Sequence, residues 1–304
     1  MGAVFYYDPV YTDGLSPEAR FPRTRYRGVR EELAQRGVDR RARIAPSPWV
    51  DRRDLLTVHT SDYVDAFTEG RIEDKVARRI GLRPWTDRIV ERTFKIIGAS
   101  VAATHALFDG TVSIAGNLAG GTHHAFADAG AGYCVFNDIA VAARVAQRDH
   151  NIQRVLVIDL DVHQGDGTAA IFADDRDVYT FSLHCAENFP FRKQTSDFDV
   201  ALPQGTGDGP YLDALETVLP GLFEHHEPEM VIYQAGVDPL TEDHLGRFKI
   251  SRSGLQQRNA MVYAQVRSHR VPTLVLMGGG YARPIEHSVQ ALADVFEQAI
   301  DGGE

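Results

Sequence analysis

The sequence has 304 residues, 43% of them hydrophobic, and a formal net charge of -10 from 32 basic and 42 acidic side chains. This composition is typical of a globular chain with a large core, and its acidic balance disfavours nucleic acid and anionic membranes and suits cationic ligands. We expect no signal peptide and no membrane span, because the start has no basic region and no stretch approaches ~20 apolar residues. Two cysteines, Cys134 and Cys185, give no disulfide framework, so the predicted location is the cytoplasm.

Short apolar runs alternate with amphipathic stretches along the whole chain, without a repeat or linker that would mark a domain boundary. The predicted strands, in chain order, are 3–7, 112–121, 154–163, 178–184, 230–238 and 273–281. The predicted helices are 88–108, 138–149, 211–224, 253–268 and 285–300, with Asn137 and Ser253 as N-caps of the second and fourth. This alternation predicts an α/β fold with a parallel sheet covered by helices on both faces, and residues 1–304 are expected to form one domain.

The third predicted strand ends in "VLVIDLDVHQGDGT" at 155–168, where an apolar run leads into three acids and a histidine. Burying a carboxylate is costly unless something pairs with it. Residues i and i+2 of a strand lie on one side, about 6.6 Å apart, so Asp161 and His163 can converge on one ion, and Asp238 can add a ligand from another strand end. Three protein ligands and an open position indicate a catalytic zinc site, and the same donors also suit Fe(II). Ordinary hydrogen-bonded turns are the alternative interpretation.

His123 and His124 follow "LAGG" at another strand end. Hydrolysis at a metal needs a base for the water and an acid for the leaving amine, and two histidines with different partners could divide that work. Asp159 and Asp166 remain after the metal ligands are assigned and could orient the histidines. The second pair, at 225–226, is expected to be solvated.

Tyr281 follows three glycines at 278–280, and no nucleotide-binding glycine motif is present. We interpret this segment as a flexible loop that brings the Tyr281 hydroxyl to an oxyanion opposite the metal. A packed core tyrosine is the alternative.

Taken together, these residues resemble the histone deacetylase family of the arginase–deacetylase superfamily, and most closely its bacterial class IV-like branch. The similar segments are "RFPRTRY" at 20–26, "RRIGLRPW" at 78–85, "NLAGGTHHAFADAGAGYCVFNDIAVAAR" at 117–144, "VLVIDLDVHQGDGTAAIF" at 155–172, "TFSLHCAENFPFRK" at 180–193, "VIYQAGVDPLTEDHLG" at 231–246 and "VLMGGGY" at 275–281.

The resemblance implies one three-layer α/β/α catalytic domain around an eight-stranded, mainly parallel sheet. It implies the zinc ligands Asp161, His163 and Asp238, and the catalytic residues His123, His124, Asp159, Asp166 and Tyr281. It also implies that the acyl-lysine tunnel has walls formed by Gly132, Tyr133 and Phe189. A potassium ion beside the zinc would be held by Asp159, Asp161, His163, Ser182 and Leu183.

The implied function is zinc-dependent hydrolysis of an N-acyl amide, an acyl-lysine in a protein or a small acylated amine, to an amine and a carboxylate. Other substrates in the same class are acylpolyamines and long-chain fatty-acyl-lysine. A different class of enzyme is an arginase-like ureohydrolase with two manganese ions. Its metal ligands follow the order Asp-x-His-x-Asp, whereas this chain has Asp159-x-Asp161-x-His163. A non-catalytic acyl-lysine binding module is the third class. We expect no nucleic acid or membrane partner, and the oligomeric state is not predicted.

Overall fold

The computed structural model describes residues 2–301, which build a single eight-stranded sheet. Its strands are β1 (Gly2–Tyr7), β2 (Arg43–Pro46), β3 (Val112–Asn117), β4 (Val155–Asp159), β5 (Val178–Cys185), β6 (Phe198–Leu202), β7 (Met230–Gln234) and β8 (Thr273–Leu276). Their order in the sheet is β2-β1-β3-β8-β7-β4-β5-β6. All neighbouring strands pair in parallel, so the predicted, mainly parallel sheet is confirmed and is fully parallel.

Helices cover both faces of the sheet. They are α1 (Val10–Asp13), α2 (Thr24–Gln35), α3 (Arg52–Leu55), α4 (Ser61–Thr68), α5 (Asp74–Ile80), α6 (Arg88–Phe108), α7 (Asp138–His150), α8 (Asp166–Phe172), α9 (Asp208–His226), α10 (Arg252–His269) and α11 (Glu286–Ile300), with a short 3-10 helix at Val38–Arg40. Helices α6 and α7 pack together, and α2, α11, α10 and α9 pack in a row. This is the predicted three-layer α/β/α architecture.

The central strands are buried because helices exclude water from both faces of a parallel sheet. Every residue of β4, β7 and β8 is buried, and apolar side chains predominate in all three. The edge strands β2 and β6 are short and partly exposed, and they carry no continuous apolar run. The sequence prediction therefore missed both edges and found all six of the other strands.

Two helix starts test the predicted caps. The side chain of Asn137 accepts a hydrogen bond from the Ala140 N–H at 2.9 Å, which confirms it as the N-cap of α7. The N-cap of α10 is Ser251, whose hydroxyl accepts from the Gly254 N–H at 3.0 Å. The prediction of Ser253 is wrong by two residues, because an exposed serine inside the first turn resembles a cap in sequence.

The strand order brings four loops together at one edge of the sheet. After β3 the chain crosses through α7 to β4, and β7 and β8 later fill the gap between those two strands. The loops that follow β3, β4, β7 and β8 therefore meet at the carboxyl ends of the central strands, where ligands bind in open α/β sheets. These loops contain the residues implicated above except Asp159 at the end of β4, Asp166 at the start of α8, Phe189, and Ser182 and Leu183 on β5.

Two further observations concern the whole of residues 2–301. Cys134 and Cys185 are both buried and free. Among the helices of this described part of the chain, none combines the length and the apolar character needed to cross a bilayer.

Candidate metal centre and active site

Asp161, His163 and Asp238 converge at the ends of β4 and β7. Their ligand atoms all lie within 4.8 Å of one another. The Nδ1 of His163 lies 3.0 Å from Asp161 Oδ1 and 3.1 Å from Asp238 Oδ2. Backbone N–H groups orient the carboxylates, because Gly279 donates to Asp161 Oδ2 at 2.8 Å and Val162 donates to Asp238 Oδ1 at 2.9 Å.

This cluster fits a divalent cation. Both carboxylates are buried, and within residues 2–301 the basic side chain that contacts both is His163. Burial, and repulsion by the neighbouring charge of Asp161, raise the pKa of Asp238 to about 7. A bound cation would relieve this repulsion between the two carboxylates. Two carboxylate oxygens and one imidazole nitrogen are a donor set that zinc and Fe(II) accept.

His123 and His124 lie beside this cluster, each on its own carboxylate. The Nδ1 of His123 is 2.7 Å from Asp159 Oδ2, and the Nδ1 of His124 is 2.7 Å from Asp166 Oδ1. The two Nε2 atoms are 3.1 Å apart. Because a carboxylate binds an imidazole through its N–H, each Nδ1 is the donor and each Nε2 is directed away from its carboxylate.

Burial and charge separate the two imidazoles. Burial disfavours the charged ring of His123, but the charges of Asp159 and Asp161 outweigh it and raise its pKa to about 9. Burial and the adjacent charge of His123 lower the pKa of His124 to about 4, against the hydrogen bond to Asp166. These opposite shifts favour a single positive charge on the pair, on His123.

Tyr281 lines the same cavity and is buried. Its N–H donates to Asp243 Oδ2 at 2.5 Å, and burial raises the pKa of its hydroxyl well above the ordinary value. The preceding glycines permit close approach: a Cβ at Gly279 would lie 2.1 Å from Asp238 Oδ2, and one at Gly278 would lie 2.8 Å from the backbone of Gly236. Close packing therefore accounts for Gly278 and Gly279, and the flexibility of this loop stays a prediction.

A cavity of about 430 Å³ joins these groups to the surface. Gly132 and Phe189 lie side by side in its lining, since a Cβ at Gly132 would lie 2.5 Å from the His124 ring and 3.2 Å from the Phe189 ring. The Phe189 and His124 ring centroids are 4.9 Å apart. Tyr133 has a φ of 67°, and its ring packs 5.1 Å from Phe21 and 5.8 Å from Tyr281, on the inner side of the cavity.

The residues predicted to hold potassium lie on β4, its following loop and β5. Asp159 pairs with Ser182 across these strands, and Leu183 follows it, fully buried. The Ser182 hydroxyl lies 3.0 Å from the Nδ1 of His184. These positions are close together, and a potassium ion here stays a prediction.

The sequence prediction missed several residues that support the site. Asn188 Nδ2 lies 3.4 Å from His163 Nε2 and donates to the Leu245 carbonyl at 2.8 Å. Arg258 is fully buried in α10 and donates to the Gly236 carbonyl at 2.6 Å, below the metal ligands. Asp243 binds the N–H of Tyr281. The sequence signal for Asn188 and Asp243 is weak, because each lies in a polar loop. Arg258 was missed because the sequence does not distinguish a buried arginine of a helix from a solvent-exposed one.

The parallel sheet and the site at its central strand ends define the arginase–deacetylase class of hydrolases. The family model described as a histone deacetylase domain matches residues 19–298. The chain therefore belongs to the histone deacetylase family, and it is a hydrolase of the deacetylase type.

Three relatives illustrate the similarity. An uncharacterized protein of Picosynechococcus sp. is 42% identical over 290 residues, covering 95% of each chain. Histone deacetylase 2 of Arabidopsis thaliana is 31% identical over 252 residues, which are 80% of this chain and 64% of that relative. Histone deacetylase 8 of Xenopus laevis is 30% identical over 262 residues, which are 80% of this chain and 79% of the relative.

Proposed function

We propose that this chain catalyses zinc-dependent hydrolysis of an N-acyl amide, releasing a free amine and a carboxylate. The substrate is an acylated lysine or a small acylated amine. One observation carries the proposal: two carboxylate-bound histidines, a tyrosine and two of the three buried metal-ligand side chains line a single cavity that opens to the surface, and the third ligand, Asp238, contacts His163. Family membership supports the deacylation chemistry.

The proposed zinc ligands are Asp161, His163 and Asp238. A zinc ion bound there would supply Lewis-acid polarisation of the amide carbonyl and would make a water molecule acidic. A two-manganese site would need further histidine and aspartate ligands, and among residues 2–301 the cluster with metal-ligand spacing is Asp161, His163 and Asp238 alone. This favours the deacylase proposal over the ureohydrolase.

The histidine pair supplies proton transfer. The Nε2 of His124, which faces the Nε2 of His123 at 3.1 Å, is the proposed acceptor of the proton of the attacking water, while its Nδ1–H is held by Asp166. The Nε2 of His123 lies 3.1 Å from that of His124, and, against the effect of burial, the charge of Asp159 raises the pKa of His123, so His123 can supply a proton for the leaving amine. Asp159 and Asp166 fix the ring orientations.

Tyr281 supplies the second polarising group. Because burial raises the pKa of its hydroxyl well above the ordinary value, the hydroxyl stays protonated and can donate to the carbonyl oxygen as negative charge develops. The acyl-amine stem passes along Gly132 and Phe189, which line the cavity beside His124. Tyr133, with Phe21, forms an apolar surface deeper in the cavity.

A turnover screen tests the proposal. Acyl-lysine peptides and acylpolyamines, from acetyl to myristoyl, are incubated with the purified chain, and the free amine is measured. We expect turnover of at least one acyl-lysine peptide, loss of turnover after chelation and recovery on adding zinc. Absence of turnover on every substrate, or full activity in the chelated protein, would contradict the proposal. The same screen separates protein, polyamine and long-chain substrates.

A binding experiment tests the metal ligands without using activity. Zinc should raise the midpoint of thermal unfolding of the wild type, since a ligand at 100 times its Kd stabilises by about 2.7 kcal/mol. Asp238→Asn removes one of three ligands, so its midpoint should not respond to zinc. The control Asp174→Asn changes the same charge at an exposed position and should respond as the wild type does. An unchanged zinc response in Asp238→Asn would place the site elsewhere.

Three wider assignments accompany this proposal. Residues 1–304 form one catalytic domain, potassium binds beside the zinc site, and the chain acts in the cytoplasm. The pairing of Asp159 with Ser182 supports the potassium assignment. Two buried free cysteines support a reducing compartment.

A further inference from the structure

The local charge of the cavity is opposite to the net charge of the chain. The chain carries a net charge of -10, yet four arginines line the cavity: Arg25, Arg79, Arg92 and Arg247. Among residues 2–301, the only carboxylate in the lining is Asp161, which belongs to the proposed metal site. The cationic ligand expected from net charge is therefore not matched by the surface that a substrate would touch.

The four arginines lie at two depths. Arg25 and Arg92 are buried at the inner end, where Arg25 donates to the carbonyls of Gly278 and Gly280 at 3.0 Å. Arg79 and Arg247 are exposed at the mouth, beside Phe191, which is 84% exposed. Only the mouth pair can contact the part of a substrate that stays outside the tunnel, on the amine side of the scissile amide.

The mouth arginines are free to bind an anion. Within residues 2–301, neither guanidinium lies within 4.0 Å of a carboxylate. The Arg79 guanidinium lies 5.4 Å from the Phe126 ring centroid. The Glu187 carboxylate accepts the Gln204 N–H at 2.8 Å, which lowers its pKa, and the charge of Arg247 lowers that pKa further. Glu187 does not line the cavity.

Both mouth arginines are tied to the tunnel walls through their backbones. The Arg79 carbonyl accepts the Gly132 N–H at 3.2 Å. The Arg247 N–H donates to Asn188 Oδ1 at 3.0 Å, and the Nδ2 of the same asparagine contacts His163. The backbones of both arginines are thus anchored beside residues of the site, and both arginines line the cavity.

We propose that the amine side of the substrate carries a negative charge, which Arg79 and Arg247 bind. The charge is a carboxylate, either of the acylated amine itself, as in free Nε-acyl-lysine, or of an acidic side chain next to an acyl-lysine. This specificity rests on the proposed deacylase function and narrows its substrate class. It is electrostatic, so it acts mainly on kcat/KM and weakens as salt screens the mouth charges.

Matched substrates test the preference. Peptides of equal length carry an acetyl-lysine flanked by Asp, Asn or Lys, and Nε-acetyl-lysine is compared with its C-terminal amide. We expect kcat/KM to fall in the order Asp, Asn, Lys, and the advantage of Asp over Asn to shrink with added salt. Preference for the free carboxylate of acetyl-lysine over its amide would identify a small-molecule substrate, and preference confined to the peptides would identify a protein substrate.

Variants test the residues. Arg79→Gln and Arg247→Gln should each reduce the Asp-to-Asn ratio of kcat/KM by about twofold to fivefold, the range for exposed charge pairs. Arg176→Gln removes the same charge from an exposed position outside the cavity lining and should keep the wild-type ratio. A wild-type preference for Asn or Lys peptides, or a ratio that survives the double Arg79→Gln/Arg247→Gln change, would overturn the proposal.

Binding separates this proposal from the deacylase function. If no peptide is turned over, the deacylase proposal fails, and the Kd values of the Asp and Lys peptides then decide the charge preference alone. Tighter binding of the Asp peptide by the wild type, lost in the double variant, supports the mouth site. Equal Kd values reject it. The Asn peptide is also compared with succinyl-lysine in place of acetyl-lysine. Faster turnover of the succinyl peptide, with no effect of the flanking charge, would place the charge preference on the acyl side and would reject the mouth site.

Discussion

At the scale of single residues, Tyr281 allows a sharp test because its ring and its hydroxyl do different things. The ring packs against Tyr133 and Phe21, and the hydroxyl is the proposed donor to the developing oxyanion. Tyr281→Phe should lower kcat on an acetyl-lysine peptide by roughly 10²–10³-fold and leave KM, zinc content and the unfolding midpoint near wild type. Tyr133→Phe removes a hydroxyl from the neighbouring ring and should change kcat far less. Equal kcat values for Tyr281→Phe and wild type would remove the role.

The sequence could predict those site residues whose relation is local. Asp161 and His163 are two positions apart at the end of an apolar run, so their common side follows from strand geometry. The bonds of His123 to Asp159 and of His124 to Asp166 span more than 35 residues, and the resemblance to a known family supplied them. Asn188 could not be found, because its role depends on a loop contact with His163 that no spacing encodes.

At the scale of elements, four predicted strands extend too far at their carboxyl ends. The run predicted over 154–163 ends at Asp159, and the run predicted over 230–238 ends at Gln234. The reason is that the following loops are themselves buried, with Leu160, Val162 and Val237 all at 0% exposure. Apolar residues continue past the last ladder hydrogen bond, so hydrophobicity alone cannot locate the strand end, which is where the site begins.

The start of α10 gives a prediction at this scale. The Ser251 hydroxyl accepts from the Gly254 N–H at 3.0 Å and donates to Asp208 Oδ2 at 2.6 Å, whereas Ser253 is exposed in the first turn. Ser251→Ala should lower the free energy of unfolding by about 1 kcal/mol, the usual value of an N-cap. Ser253→Ala should change it by less than about 0.5 kcal/mol. Urea unfolding of both variants measures this, and the reverse order would restore Ser253 as the cap.

At the scale of the whole molecule, net charge and local charge carry different information. The net charge of -10 is a sum over the chain, and it predicts nothing about which residues a loop carries to the tunnel mouth. Arg79 lies in α5 and Arg247 lies in the loop after β7, and the fold brings both of them to one cavity. The inferred preference for an anionic substrate is therefore available from the structure and not from composition.

Stability of the whole molecule should depend on pH through His59, which joins two distant segments. Its ring is 3% exposed, its Nδ1 lies 3.3 Å from the Ala127 carbonyl, and its Nε2 accepts the Asn137 N–H at 2.9 Å, at the cap of α7. Only the neutral ring can accept at Nε2. Burial lowers the pKa of His59 from its ordinary 6.5 to about 4, against the hydrogen bond to Ala127.

The sign of the effect follows from linkage. Between pH 6.5 and 4 the unfolded state binds a proton at His59 and the native state does not, so the stability present above pH 6.5 is lost as the pH falls towards 4. The loss is on the order of 3 kcal/mol. His59→Gln keeps one donor and one acceptor without titrating, so its free energy of unfolding in urea should fall less between pH 7 and 4.5 than that of the wild type. The exposed His287→Gln is the control and should follow the wild-type curve, because the other titrating groups are common to all three proteins. Parallel pH profiles for His59→Gln and wild type would mean that His59 does not set the acid sensitivity.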